Sequence, residues 1–383
     1  MQSFKQYKFL YLLILTLIFI SQNNKLNFGI YEKRIGVINL PNGQNVGNIL
    51  VKFAMFKLLK GFGLNATIIT PKLQYPEIKV GWLDLSFIHR TLNSHFVELK
   101  DNFSELNEKD YDYLVVNSDQ TWVWFGKYFF DIAFLKFAEN WRIPKFIYAT
   151  SIGRDYWPYN KMIEKEAKKL LKSFTGISFR EKGLVKLAKK KLGIKGVFVL
   201  DPTLLLEKEY YLKEIKDYKN NFFEKEKFIF VYQLHENKIL ERIANDSSKK
   251  FNYKIYKLEF DKSDYIESFI FGINTSQAVL TDSFHGTIFS IMFNKPFLSF
   301  LDTTNTRFGK GRFDSLKEVF CLEKRIIDPL KSNNISLNLL KEIPNINQTL
   351  FNELKSFSID YIKKNLDILW KKVNFNFTYR LLK

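Results

Sequence analysis

The stretch Ala278 to Ser299, AVLTDSFHGTIFSIMFNKPFLS, leaves this chain few folds to choose from. Ala278-Val279-Leu280 is a short apolar run of the kind that forms a strand buried on both faces of a parallel sheet. Thr281-Asp282-Ser283 then stops it with short polar side chains suited to capping a helix. Phe284, Ile288, Ile291 and Met292 recur at helical spacing, and Asn294-Lys295-Pro296 ends the helix before the next apolar run, Phe297 to Phe300. The expected unit is strand, polar turn, helix, strand, with His285 and Gly286 at the turn. Ligands of open α/β sheets bind at such turns, where free N–H groups and the helix dipole favour an anion. Gly286 would let a ligand approach the backbone, and His285 can serve there as acid or base, or simply cap and pack.

The same alternation runs through most of the chain. Strands are expected at Arg34–Asn39, Asn65–Thr70, Tyr113–Val116, Lys145–Thr150, Gly176–Phe179 and Val197–Leu200. A second series comprises Phe228–Leu234, Tyr253–Phe260, Ala278–Leu280 and Phe297–Leu301, with helices between. Pro71 to Asp110 reads as an irregular excursion with short helices, and Leu350 to Lys372 as one long amphipathic helix. Short apolar strands alternating with helices predict parallel sheets. The fold class is therefore α/β, as two Rossmann-like doubly wound domains facing across a cleft. Residues 34–203 form the first domain, 204–227 a linker, 228–330 the second domain, and 331–383 a helical tail that packs back on the domains.

The strand ends carry the candidate chemistry. The first turn, Leu40 to Asn48, is rich in Gly and Asn and can cradle a phosphate or a sugar, but it lacks both the dinucleotide fingerprint and the P-loop pattern. Asp119, in the polar turn Asn117-Ser118-Asp119-Gln120-Thr121-Trp122, is placed to take a proton from a substrate hydroxyl, or to make an Asx-turn. Arg180 follows a strand, and its fork suits a carboxylate or phosphate; the alternative is an ion pair with Glu181. The loop Asp302 to Arg312 adds Arg307, Lys310 and Arg312, three cations able to hold a charged ligand or to stay solvated.

Composition narrows the classes. The net charge of +19 suits an acidic small substrate, an anionic membrane surface or nucleic acid. Between Lys161 and Lys195 twelve Lys/Arg face three Glu, yet these lysines alternate with the apolar stripe Ile163, Ala167, Leu170, Leu171 and Phe174. That pattern is the wet face of packed helices, which argues against nucleic acid as partner. Four histidines at no ligand spacing and the single Cys321 give neither a metal signature nor an internal disulfide.

Residues 1–33 stand apart. Phe9 to Ile20 is apolar except for Thr16 and follows Lys5 and Lys8, but twelve residues are too few to span a bilayer, which takes about 20. An interfacial anchor, a poor signal peptide and an upstream start codon all fit.

Several stretches together resemble the polysaccharide pyruvyl transferase family: Asn45-Val46-Gly47-Asn48, Asn117 to Trp122, Ile177-Ser178-Phe179-Arg180-Glu181, Val199 to Leu204, Thr281 to Thr287 and Asn305-Thr306-Arg307-Phe308. They occur in the family's order and span roughly Arg34 to Leu322. The family often carries Gly where Asn117 stands, and Arg-Leu where this chain has Ser283-Phe284. The resemblance implies a GT-B-like fold and transfer of an enolpyruvyl unit from phosphoenolpyruvate to sugar hydroxyls as a pyruvate ketal, in building cell-surface polysaccharides. It implies no cofactor beyond phosphoenolpyruvate as co-substrate, and a sugar or lipid-linked oligosaccharide as acceptor. On that reading His285 is the general acid, Asp119 the base and Arg180 the anion clamp. Asn45, Gly47, Asn48, Ser118, Gln120, Asp282, Ser283, Gly286 and Arg307 would then hold the substrates. The donor places the enzyme in the cytoplasm, with the inner membrane face within reach of its basic surface. A nucleotide-sugar glycosyltransferase on the same fold, or a non-catalytic sugar-binding relative, are the alternatives.

Overall fold

In the computed structural model the described residues are 32–368, apart from 44, 73–84, 101–102, 124–125, 155, 260–262, 303–309 and 332–333. Seven parallel strands form the first sheet: β1 (Arg34–Ile38), β2 (Asn65–Pro71), β3 (Phe96–Leu99), β4 (Tyr113–Val116), β5 (Lys145–Thr150), β6 (Phe174–Phe179) and β7 (Val197–Phe198), in the order β3-β2-β1-β4-β5-β6-β7. The second sheet, also parallel, holds β8 (Phe228–Tyr232), β9 (Lys254–Lys257), β10 (Ala278–Thr281), β11 (Phe297–Phe300) and β12 (Ile326–Ile327), ordered β12-β11-β10-β8-β9. Both sheets belong to one compact unit, Arg34–Lys383.

Strand order reverses between β1 and β4 in the first sheet and between β8 and β10 in the second. At each reversal the connecting helices depart to opposite sides and leave a crevice outside the strands' carboxyl ends. The turns at Asn45, Asp119 and His285 follow β1, β4 and β10 respectively, so the topology alone puts them at the two crevices.

Largely apolar runs make β4, β5, β8, β10 and β11 buried at every position, with Lys145, Thr150, Thr281 and Ser299 as the polar members. Between the sheets lies an aromatic core. Tyr211, in the Lys208–Glu214 helix, sits 5.5 Å from the Phe53 ring and 5.0 Å from Phe289, so the segment expected to be a linker carries a fully buried anchor for both halves. The lysine-rich helices Lys161–Leu171 and Lys182–Leu192 bury Ala167, Leu170, Leu171, Leu184, Val185, Ala188 and Leu192. Their excess charge is thus the outer face of packed helices.

The long C-terminal helix runs over Gln348–Asn365 and is bound to the first sheet through the Tyr361 hydroxyl, which donates to the Ile147 carbonyl at 3.1 Å. Leu200 N donates to Ser358 Oγ at 3.0 Å. Three elements depart from the sequence reading. Phe96–Leu99 in the supposed excursion is an edge strand, Ile326–Ile327 is a further strand, and Gly311–Phe320 is a helix that takes in Arg312 from the supposed loop. Among the described residues no helix is long and apolar enough to cross a membrane, and the Phe9 to Ile20 stretch lies outside them.

Candidate active site

Asn45 opens the helix Val46–Gly61 by accepting the Gly47 N–H at 2.8 Å, the role expected of an Asn N-cap. One turn on, the Asn48 amide is held at both ends. Its Oδ1 accepts from Lys52 Nζ at 2.5 Å, and its Nδ2 donates to Asp119 Oδ2 at 3.3 Å. Lys52 is fully buried, and its other partner is Asn42 Oδ1 at 3.0 Å. Burial pushes its ammonium down to about 7, against the pull of Asp119 and Glu98.

Asp119 has φ +121°, a region that side-chain-bearing residues rarely adopt and that costs on the order of 1–3 kcal/mol. Backbone and side chain both hold it there. Its carbonyl accepts Ser151 N at 2.9 Å, and its Oδ1 accepts Gln120 N at 2.8 Å and Arg180 Nη2 at 3.4 Å.

Arg180, delivered by β6, spends its other Nη on Asp201 Oδ2 at 2.7 Å. Asp201 also takes Ser118 Oγ at 3.2 Å and two donors from Thr203, at 3.0 and 2.7 Å. Burial alone would raise the Asp201 carboxyl, but His285, Arg180 and Thr203 outweigh it and hold the group well below the usual carboxylate range. Burial likewise works against the Arg180 charge, and Asp201 and Asp119 more than compensate.

His285 reaches this cluster from the second sheet. Its Nε2 stands 3.7 Å from Asp201 Oδ2, an ion-pair separation too long for a hydrogen bond, and has no hydrogen-bond partner among the described residues. The imidazole rests on Gly47, where an added Cβ would fall 1.8 Å from Nδ1. The structure thus gathers Asp119, Arg180 and His285 around Asp201, with Asn45, Gly47, Asn48 and Ser118 in the same network.

Other expected residues have local tasks. Asp282 accepts Leu234 N at 2.6 Å, His235 N at 2.9 Å and His235 Nδ1 at 3.2 Å, so it ties the turn after β8 to the turn after β10. Ser283 caps the helix Phe284–Met292 by accepting Gly286 N at 3.3 Å. Gly286 faces Thr281, whose Oγ1 would lie 2.3 Å from an added Cβ; packing, rather than room for a ligand, requires the glycine. The Gln120 side chain lies against Gly153, and Arg307 is outside the described residues.

The sequence matches the family described as polysaccharide pyruvyl transferase over residues 45–303, more than half of the chain and the span that holds every group of this cluster. The chain belongs to that family. No curated protein matches it. Among solved structures, it is similar to the UDP-GlcNAc 2-epimerase of Methanocaldococcus jannaschii (14% identity, TM-score 0.52, covering 87% of this chain and 99% of that one). It is also similar to the enzyme of Neisseria meningitidis bound to UDP-GlcNAc (11%, 0.50, 87% and 100%). At these identities the likeness is one of fold alone, and it places this polysaccharide pyruvyl transferase relative among GT-B-like proteins.

Three groups of this family member's site take roles that the sequence did not assign to them. Asp201 lies in the family-like stretch Val199 to Leu204 with no role of its own marked in the sequence, yet it is the hub between Arg180 and His285. Lys52 had a signal: it and Asn48 are the only polar side chains in the run Val46 to Phe56, four residues apart and so on one helix face. Arg312, one of the three cations expected in the Asp302 to Arg312 loop to hold a charged ligand or stay solvated, is helical instead, with its Cζ 5.9 Å from the centroid of the Phe284 ring.

Proposed function

We propose that this protein transfers the enolpyruvyl unit of phosphoenolpyruvate to hydroxyls of a sugar, forming a pyruvate ketal and releasing phosphate. The observation that supports it most is the approach of His285 to the Asp201–Arg180–Asp119 chain from the opposite sheet. An acid and a base from two halves, held by one buried ion cluster, suit a reaction that protonates one partner and deprotonates the other.

In this reading the His285 imidazolium gives its proton to the methylene carbon, leaving an oxocarbenium centre at the carbon that bears the phosphate oxygen. A sugar hydroxyl attacks that carbon while Asp119 takes its proton. The carbon–oxygen bond to phosphate then breaks, and a second hydroxyl closes the ketal, its proton leaving with the phosphate. One hydroxyl proton replaces the one spent by His285, so the cycle balances. Asp201 would stabilise the charged imidazole. Arg180 has both Nη groups on carboxylates, so it contributes position and field rather than a free fork. His285 is only 3% exposed, so the acid is held in a largely enclosed site.

The acceptor is a sugar or a lipid-linked oligosaccharide of the cell surface, and the donor sets the compartment as cytoplasmic. The test is incubation with phosphoenolpyruvate, and separately with nucleotide sugars, against soluble and lipid-linked sugar acceptors. Acceptor-dependent phosphate release from phosphoenolpyruvate is expected; transfer from a nucleotide sugar alone would establish a glycosyltransferase instead.

A further inference from the structure

Two guanidinium groups share the ring of Phe284, the residue that precedes His285. Arg180 Cζ lies 4.7 Å from the ring centroid and Arg312 Cζ 5.9 Å from it. Their charges are met very differently. Arg180 has Asp201 at 2.7 Å and Asp119 at 3.4 Å. Among the described residues no carboxylate forms an ion pair with Arg312, and its Nε, closed off from solvent, makes no hydrogen bond. The residues just before its helix, 303–309, contain no Asp or Glu.

Glu181, Asp119 and Asp282 act on Arg312 only from a longer range, while burial and the like charge of Arg180 push its guanidinium down to about 10. Arg312 is half-buried, and a partly desolvated cation beside another cation is stabilised by an anion that joins them. Glu181 and Gly311, neighbours of the pair along the chain, line a cavity of about 470 Å³ together with Ile152, Arg154, Lys186 and Asp314, and the two guanidinium groups themselves are not among its walls.

We propose that Arg312 is the residue that binds the phosphate of the donor, with Arg180 as its fixed positive neighbour across Phe284. The phosphate dianion would supply the counter-charge that Arg312 lacks, and the planar fork would take two of its oxygens. The assignment rests on the pyruvyl-transfer reading for the identity of the donor, but the phosphate subsite can be tested without turnover.

The experiment measures binding of inorganic phosphate calorimetrically, and the KM for phosphoenolpyruvate, in the wild-type chain, Arg312→Ala and Arg312→Lys. Arg312→Ala should weaken phosphate binding and raise the KM by at least about tenfold, with a smaller fall in kcat, and Arg312→Lys should recover part of both. Stabilisation against heat by added phosphate should be present in the wild type and lost in Arg312→Ala. Unchanged phosphate affinity in Arg312→Ala, or no phosphate binding by the wild type at millimolar concentration, overturns the assignment. If Arg312→Ala does not fold, Arg312→Gln replaces it with the same expected outcomes. Phosphate binding through Arg312 without turnover of phosphoenolpyruvate would uphold the subsite and sink the pyruvyl-transfer reading. Turnover that ignores the substitution would do the reverse.

Discussion

The imidazole of His285 lies directly on the backbone of Gly47, a residue from the other sheet's first turn, so that a Cβ at position 47 would stand 1.8 Å from Nδ1 and 2.3 Å from Cε1. Gly47 is therefore the surface against which His285 is positioned. In an isolated helix Gly47→Ala would stabilise by about 1 kcal/mol. Here the ring has to move, and a displacement near 1 Å in a reacting group can cost on the order of a hundredfold. Gly47→Ala should lower kcat by about ten- to a hundredfold and also cost about 1–3 kcal/mol in urea unfolding, because of the overlap. Undiminished turnover would show that His285 needs no such support.

Asp201 carries the Arg180 ion pair at 2.7 Å and stands 3.7 Å from His285, with side-chain exposure of 1%. Removing one partner of a buried pair leaves the other charge uncompensated, at a cost of about 3–5 kcal/mol. Asp201→Asn should lose stability on that scale in urea unfolding, and activity with it. A variant as stable as the wild type would mean that Asp119 alone neutralises Arg180.

Lys52 gives a pH dependence with a definite sign. Its folded value, lowered to about 7, lies below the unfolded 10.5, so between those values the unfolded chain binds more protons and this group makes stability rise with pH. The gain from pH 7 to pH 10 is on the order of 3 kcal/mol. Lys52→Met should remove that slope, so that the difference in unfolding free energy between the two proteins favours the wild type more at pH 9 than at pH 7. Parallel curves would contradict burial of a titrating ammonium. Because Lys52 orients Asn48, whose Nδ2 meets Asp119, the substitution should also slow transfer.

Asp282 raises His235, first through their hydrogen bond and then through its charge, against burial. A histidine with a raised folded value contributes stability fully below the unfolded value of about 6.5, and loses it as pH rises through the folded one. Asp282→Asn should therefore destabilise more at pH 5.5 than at pH 8.5 in paired unfolding curves. An equal loss at both would leave only the two backbone N–H bonds, at 2.6 and 2.9 Å, as the work of Asp282.

Most of the strands were legible because a strand buried on both faces is mainly apolar, as in Tyr113–Val116 and Ala278–Thr281. Phe96–Leu99 was not, since it is an edge strand with Val97 and Glu98 facing solvent, and its FVEL pattern reads equally well as loop. The polar turns marked where Asp119, Arg180 and His285 would gather, because strand ends converge in any doubly wound sheet. What convergence does not specify is pairing. That Arg180 is occupied by two aspartates, that Gly286 answers to Thr281, and that Arg312 crosses to Phe284 depend on packing between elements far apart in the chain.

The most direct measurement is single-turnover phosphate release from phosphoenolpyruvate in the presence of a competent sugar acceptor, comparing wild type, His285→Ala and Asp119→Asn. If His285 is the acid and Asp119 the base, each substitution lowers the chemical step by about a hundredfold or more, and the pair together loses less than the product of the two. Phosphate release from His285→Ala at the wild-type rate would contradict the account.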